Sequence, residues 1–250
     1  MKLKGKSAIV TGAGAGMGKA IAMLFAAEGA KVAASDIDQQ ALDAVVAEIQ
    51  SAGGTATGVL ADVANEADVR HLVDTTVKLY GSVDVLVNNA GIMDNFIPAG
   101  EVSNEQWERV LGINLNGPFY ASRAALQVML KQGKGVIVNN ASIGGLFGAR
   151  GGASYVVSKH GLIGLTKNIA ATYGPKGIRA NAIAPGGVNT NIGATITAPH
   201  PLGLEAIGRS GQGPMGEPDQ IARVALFLAS DDSSFVNGAT VTADGGWTAH

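Results

Sequence analysis

The chain has 250 residues, 46% hydrophobic and 15% charged, with a net charge of −2 and no cysteine. That length suits a single α/β domain with a sizeable core, and the charge leaves no electrostatic footprint for nucleic acid or an anionic membrane. Missing cysteines exclude disulfides and thiolate metal sites, and no apolar run approaches the ~20 residues of a membrane span.

The first residues, Met1-Lys-Leu-Lys-Gly-Lys-Ser7, lead into a strand-like run rather than a signal-peptide core, so a cytoplasmic protein is expected. Short β-branched runs then alternate with longer amphipathic ones. Strands are predicted at Ser7–Val10, Lys31–Ser35, Thr55–Leu60, Val83–Val87, Gly135–Asn140, Arg179–Ile183 and Thr240–Thr242. Helices are predicted at about 17–28, 39–52, 66–80, 103–131, 154–173 and 217–229. Nearly continuous apolar strands between helices predict a doubly wound parallel sheet covered on both faces, one α/β domain over 1–250. The stretch 186–216, rich in Gly, Ala, Thr and Pro, lacks a clear period and is read as a substrate-binding loop or lid.

Between the first strand and first helix lies Thr11-Gly-Ala-Gly-Ala-Gly-Met-Gly18. Missing Cβ atoms there permit a tight turn, close backbone approach to a pyrophosphate and close helix–sheet packing. Gly12, Ala15, Gly16, Met17 and Gly18 are therefore the first cofactor-binding candidates, with unpaired helix N–H groups facing the phosphate. The second strand ends in Ser35-Asp36, 18 residues past Gly18. A carboxylate at that point accepts both ribose hydroxyls and repels a 2′-phosphate, and neither Ala13, Ala15 nor Ile37 supplies a cation. NAD is expected over NADP, read by Asp36 and Ile37.

Tyr155-Val-Val-Ser-Lys159 follows Ser142 by thirteen residues. Residues four apart on a helix share a face, so the Lys159 ammonium is expected beside the Tyr155 phenol. A free phenol has a pKa of about 10; a unit charge at ~4 Å supplies ~4 kcal/mol at an effective dielectric near ~20, the scale needed to make tyrosine a general acid/base. Ser142 is placed to donate to a substrate oxygen as charge develops there.

These residues, in this order, resemble the short-chain dehydrogenase/reductase family over about Lys6 to Trp247. Thr11-Gly-x-x-x-Gly16-x-Gly18 looks like its cofactor turn, Asp62-Val63 its adenine position, and Asn88-Asn89-Ala90-Gly91 the motif closing its fourth strand. Asn114, Ser142, Tyr155 and Lys159 match its catalytic tetrad. Pro185-Gly186-Gly187-Val188-x-Thr190 looks like the segment holding the nicotinamide carboxamide and a phosphate. The resemblance implies a Rossmann-type sheet of about seven strands, a homotetramer and hydride transfer between a secondary alcohol or ketone and nicotinamide. It also implies that Lys159 contacts the nicotinamide ribose and that Asn114 holds a water chain to Lys159.

Met93, Asn95, Gly144, Leu146, Arg150, Gly187 and Ile196 are expected to line the pocket for a small alcohol or ketone, with Asp94 as a further polar accent. Arg150 either meets a substrate carboxylate or faces solvent. No Asp/Glu/His cluster has metal-ligand spacing, so no metal is expected. His71, His160, His200 and His250 are given ordinary roles, and Trp247 is read as a subunit-interface anchor. The runner-up is a 3-oxoacyl-[acyl-carrier-protein] reductase using NADPH, against which Asp36 and a thin basic patch at Lys131, Lys134 and Lys176 both speak.

Overall fold

The computed structural model describes residues 1–249, so His250 lies outside the described residues. Seven strands form one sheet: β1 Ser7–Thr11, β2 Lys31–Asp36, β3 Thr55–Leu60, β4 Val85–Asn88, β5 Gly135–Asn140, β6 Ile178–Pro185 and β9 Thr240–Ala243. Two-residue strands β7 Gly187–Val188 and β8 Met215–Gly216 pair separately. The large sheet is parallel throughout, in the order β3-β2-β1-β4-β5-β6-β9. Every residue of β1 and β4 is buried, which explains why these strands read as apolar runs rather than alternating ones.

Helices α1 (Gly16–Ala27), α2 (Gln39–Ser51) and α8 (Pro218–Ala229) cover one face, packing Ile21, Phe25, Leu42, Val45, Ile49 and Ile221 onto the strands. On the other, α3 (Glu66–Tyr80), α5 (Gly117–Gln132) and α6 (Ala153–Tyr173) bury Val69, Leu72, Ala125, Met129 and Ile169. Strand order reverses between β1 and β4, which opens a crevice beyond their carboxyl ends.

The predicted helix over 103–131 is two helices, α4 (Asn104–Leu111) and α5, joined by a π-helical turn at Gly112–Asn116. The backbone stays helical through this turn, so the sequence shows one helical stretch where the structure has a π-helical interruption. The stretch 186–216 also holds more structure than expected: a 3₁₀ turn at Asn191–Thr195 and a nine-residue helix α7, Pro201–Arg209. Pro201 at its start and two internal glycines, Gly203 and Gly208, weaken the helical signal. Its N-terminus is closed by His200, whose Nδ1 accepts from the Leu202 amide at 3.2 Å and whose Nε2 meets Glu101 at 2.9 Å.

Candidate active site

The crevice holds a cleft of roughly 230 Å³ whose walls include Gly12, Ala15, Gly16, Met17, Asp36, Ile37, Asp62, Val63, Asn89, Ala90, Gly91 and Thr190. Ile92, next to Met93, and Asn191, Ile192 and Thr195 of the 186–216 stretch belong to segments expected to wall the site, and Ala61 and Ile113 complete the lining.

The glycine turn is shaped by close approach. Gly12 (φ 63°) and Gly16 (φ 53°) are left-handed, and a Cβ at Gly12 would lie 2.8 Å from the Ala90 Cα. A Cβ at Gly18 would sit 1.9 Å from the Gly12 carbonyl oxygen, so α1 packs on the turn only through glycine. Cap residue Ala15 offers no side-chain acceptor to the first amides of α1, which leaves the helix N-terminus as a donor site for an anion.

Asp36 is tied into the same turn. Its Oδ2 accepts from the Gly14 amide at 2.8 Å and its Oδ1 from the Asp38 amide at 3.0 Å. A Cβ at Gly14 would lie 2.9 Å from that Oδ2, so the carboxylate fills the space that a polar turn residue would need. Asp62 accepts from the Ala64 amide at 2.9 Å.

Strand ends are fastened across the crevice by Thr11 and Asn89. The Thr11 hydroxyl accepts from the Asn89 amide at 3.0 Å, and Asn89 Nδ2 donates to the Thr11 and Gly12 carbonyls at 3.0 and 3.1 Å. Asn89 Oδ1 in turn accepts from Asn140 Nδ2 at 2.8 Å, and Asn140 Oδ1 is buried without a partner. Asn88 points away into the core, bonded to Ser122 and Asn139.

Ser142, Tyr155 and Lys159 meet at the carboxyl end of β5. Ser142 caps a short 3₁₀ turn by accepting from the Gly144 amide at 2.9 Å. A Cβ at Gly144 would lie 3.1 Å from the Tyr155 ring, so this pocket residue keeps the phenol's flank clear. Lys159 is 4% exposed, and its Nζ donates to the Asn140 carbonyl at 3.0 Å while lying 5.7 Å from the Tyr155 ring centre. Burial holds the Lys159 ammonium down, to a pKa of about 8. Burial likewise pushes the Tyr155 phenol up; the Ser142 hydrogen bond opposes this and the charge of Asp94 adds to it. The phenol is thus raised where the spacing with Lys159 predicts it lowered, and the Lys159 ammonium is bonded to the Asn140 carbonyl.

Asn114 lies in the π-helical turn, fully buried. Its Oδ1 accepts from the Ile92 amide and its Nδ2 donates to the Ile92 carbonyl, both at 2.9 Å, and to Ser158 Oγ at 3.2 Å. The side chain therefore clamps the segment after Gly91 to α6, beside Lys159.

Pro185 ends β6, and Gly186 packs against Asp244 and Trp247, where a Cβ would meet Asp244 Cβ at 2.8 Å. Gly187 and Val188 form β7 against β8, with Val188 packed on the core. Among the pocket candidates, the Met93 amide donates to Thr195 Oγ1 at 3.0 Å, Leu146 is exposed, and Ile196 follows the 3₁₀ turn. Asn95 Oδ1 accepts from the Thr197 and Ala198 amides at 2.8 and 3.3 Å. Arg150 is half-buried: its guanidinium stacks 4.3 Å from the Trp247 ring centre and donates to the Ser210 carbonyl at 3.3 Å. Trp247 thereby packs within its own chain, over Gly213 and Gly186. Asp94, read as a pocket accent, is fully buried.

The chain is similar to known proteins along nearly its whole length. Residues 12–248 match the family described as enoyl-(acyl carrier protein) reductase. The chain is 43% identical to 3beta-hydroxysteroid dehydrogenase 2 of Eggerthella lenta, over 99% of this chain and 96% of that one. It is 39% identical to the 3-oxoacyl-[acyl-carrier-protein] reductase FabG of Thermotoga maritima, over 98% and 99%. A crystal structure from Beutenbergia cavernae, provisionally assigned as an NAD(P)-dependent gluconate 5-dehydrogenase and carrying NADP at low occupancy, superposes with a TM-score of 0.88. It is 39% identical, covering 100% of this chain and 99% of its own. With this fold, and with relatives of this likeness spanning it end to end, the chain belongs to the short-chain dehydrogenase/reductase family and is an oxidoreductase of CH–OH groups.

Proposed function

We propose that the protein is an NAD-dependent dehydrogenase of secondary alcohols in which Tyr155 is the general acid/base. The observation that carries this reading is the buried cluster of Ser142, Tyr155 and Lys159 at the end of β5, beside a cleft built for a dinucleotide. Nicotinamide, when bound, supplies the hydride acceptor or donor. The uncapped N-terminus of α1 fits the pyrophosphate, and Asp36, fixed by two amides, keeps lone pairs for ribose hydroxyls while its charge disfavours a 2′-phosphate.

The chain's own residues do the proton chemistry. In the reducing direction the Tyr155 phenol, which burial keeps protonated, donates its proton to the substrate oxygen. Ser142 steadies that oxygen as charge gathers on it. In the oxidising direction the phenol must first ionise, and the Lys159 ammonium is the adjacent cation that favours ionisation. Asn114 and Asn140 hold Lys159 and the segment after Gly91 in register.

Support for ring alcohols comes from the likeness to a hydroxysteroid dehydrogenase, and Met93, Leu146, Phe147 and Ile196 are apolar residues of the segments expected to line the pocket. The second reading, an NADPH-dependent 3-oxoacyl-[acyl-carrier-protein] reductase, is favoured by the likeness to the Thermotoga enzyme and by NADP in the Beutenbergia structure. We place the protein in the cytoplasm as a homotetramer; fully exposed Phe235 and half-exposed Phe119 and Val157 are the apolar surface that assembly would cover.

The test is absorbance at 340 nm with hydroxysteroids, cyclic alcohols, polyols, hydroxy acids and 3-hydroxyacyl thioesters, each with NAD and then NADP. Turnover of ring alcohols with NAD is expected. Turnover confined to acyl thioesters with NADP establishes the second reading instead.

A further inference from the structure

We propose that Asp94 is a positioning residue for the reaction, a carboxylate that caps the Tyr155 helix from outside while its flanking residues carry the lid. The inference rests on the reading of Tyr155 as acid/base.

Helix α6 has no cap of its own, since its cap residue is Gly152. Asp94 supplies one from fifty-eight residues upstream. Its Oδ1 accepts from the Gly152 amide at 2.8 Å and the Phe96 amide at 3.1 Å. Its Oδ2 accepts from the Tyr155 amide at 2.8 Å and from Ser154 Oγ at 3.1 Å. The carboxylate is 0% exposed, and all four of its partners are neutral donors. A Cβ at Gly152 would lie 2.6 Å from Asp94 Oδ2 and 2.5 Å from the Ile97 amide nitrogen, so a glycine at 152 is the condition for this approach. The Ala153 amide closes the joint by donating to the Ile97 carbonyl at 2.9 Å.

The other side of the segment holds the lid. Met93 donates to Thr195, Asn95 Oδ1 accepts from Thr197 and Ala198, and the Asn95 carbonyl accepts from the His200 amide at 2.8 Å. Asn95 and Phe96 both adopt left-handed backbone, φ 57° and 59°, a conformation that costs non-glycine residues and needs fixed partners on each side. A Cβ at Gly203 of α7 would lie 1.8 Å from the Phe96 carbonyl oxygen, so the lid helix rests directly on this turn. One short segment therefore sets both the placement of the phenol and the seat of the lid.

Asp94 also acts through charge, raising the affinity of the nearby phenol for its proton. The other groups around Tyr155 are Lys159 on α6 and the Ser142 hydroxyl. Around the segment itself stand the His200–Glu101 pair of the lid side and Arg150, whose guanidinium is stacked on Trp247.

The experiment compares Asp94→Asn, Ser154→Ala and Tyr155→Phe in the full chain. Two readouts are taken: turnover against pH on the best substrate of the panel, and Tyr155 ionisation by ¹³C-tyrosine NMR, assigned by the signal lost in Tyr155→Phe. For Asp94→Asn the expected result is a turnover loss of about tenfold to a hundredfold. Its rate limb and its Tyr155 titration both move to lower pH, because a negative charge is gone. Ser154→Ala keeps the charge, so its titration stays in place. A rate loss in Asp94→Asn without any movement of either pH readout would reduce Asp94 to scaffolding and overturn the inference. Should Asp94→Asn not fold, hydrogen exchange in Ser154→Ala decides. The Tyr155 amide must exchange faster relative to Leu162 and Thr166 further along α6, and an unchanged ratio overturns the clamp. Near-normal turnover in Tyr155→Phe is the separate result that sinks the acid/base reading itself.

Discussion

Lys159 Nζ donates to the Asn140 carbonyl at 3.0 Å, and this bond, not one to Tyr155, is what holds the lysine in the site. The ammonium is consequently a neighbour of the phenol rather than its partner, and its own proton is loosened by burial.

Tyr155→Phe removes the phenolic proton and little else. Turnover is expected to fall at least ~100-fold, the scale of general acid/base catalysis, with dinucleotide affinity retained. Steady-state rates together with calorimetric titration of NAD check both halves of this statement.

Lys159 also leaves a mark on stability. Its pKa is about 8 when folded and near 10.5 when exposed on unfolding. Between those values the unfolded chain binds a proton that the folded chain does not, so this group's contribution rises with pH across that window and is lost as pH falls through 8. Lys159→Met should remove that slope, worth up to about 3 kcal/mol, from the urea midpoints measured between pH 7.5 and 10.

Cofactor choice is assigned to Asp36. Replacing it while adding a cation, Asp36→Ala with Ile37→Arg, is expected to shift the NAD to NADP ratio of kcat/KM toward NADP by roughly fivefold or more. An unmoved ratio would count against Asp36 as the ribose reader.

Gly18→Ala places a methyl 1.9 Å from the Gly12 carbonyl oxygen. The turn must shift to admit it, with a stability loss of ~1–3 kcal/mol and weaker NAD binding. Thermal unfolding with and without NAD separates the two effects.

Our proposal that residues 190–215 act as a lid predicts slower hydrogen exchange there once NAD and substrate are both present. Gly203→Ala, whose Cβ would lie 1.8 Å from the Phe96 carbonyl oxygen, forces α7 and the Phe96 turn apart and should raise KM as well as lower the melting temperature. A KM equal to that of the parent protein would argue that α7 does not seat on the Phe96 turn during turnover.

Much of this was legible in the chain itself. Strand–helix alternation, the glycine turn and Tyr155 with Lys159 are local patterns, written within a few residues; the cleft lining gathers Gly12, Ala15, Gly16, Met17 and Asp36, while Tyr155 and Lys159 lie outside it. What stayed hidden depends on distant contacts. The bond from the Tyr155 amide to Asp94 spans sixty-one residues, and that from Asn140 to Asn89 spans fifty-one. Neither spacing has a period to reveal it. Helix α7 was obscured by its glycines, and the effect of burial on Tyr155 and Lys159 follows from packing that no pair of residues displays alone.

The π-helical turn at Gly112–Asn116 gives the chain an unusual sensitivity to length. An ordinary α-helix advances 100° per residue, so deleting one residue there would let the hydrogen bonding of α4 and α5 run on regularly as a single rod. That shortened protein gains a regular helix but loses the three hydrogen bonds of buried Asn114. Asn114 would turn about a quarter of the way round the axis, away from Ile92 and Ser158, and the segment after Gly91 would come loose. The irregular turn is thus a place where a more regular helix means a poorer enzyme.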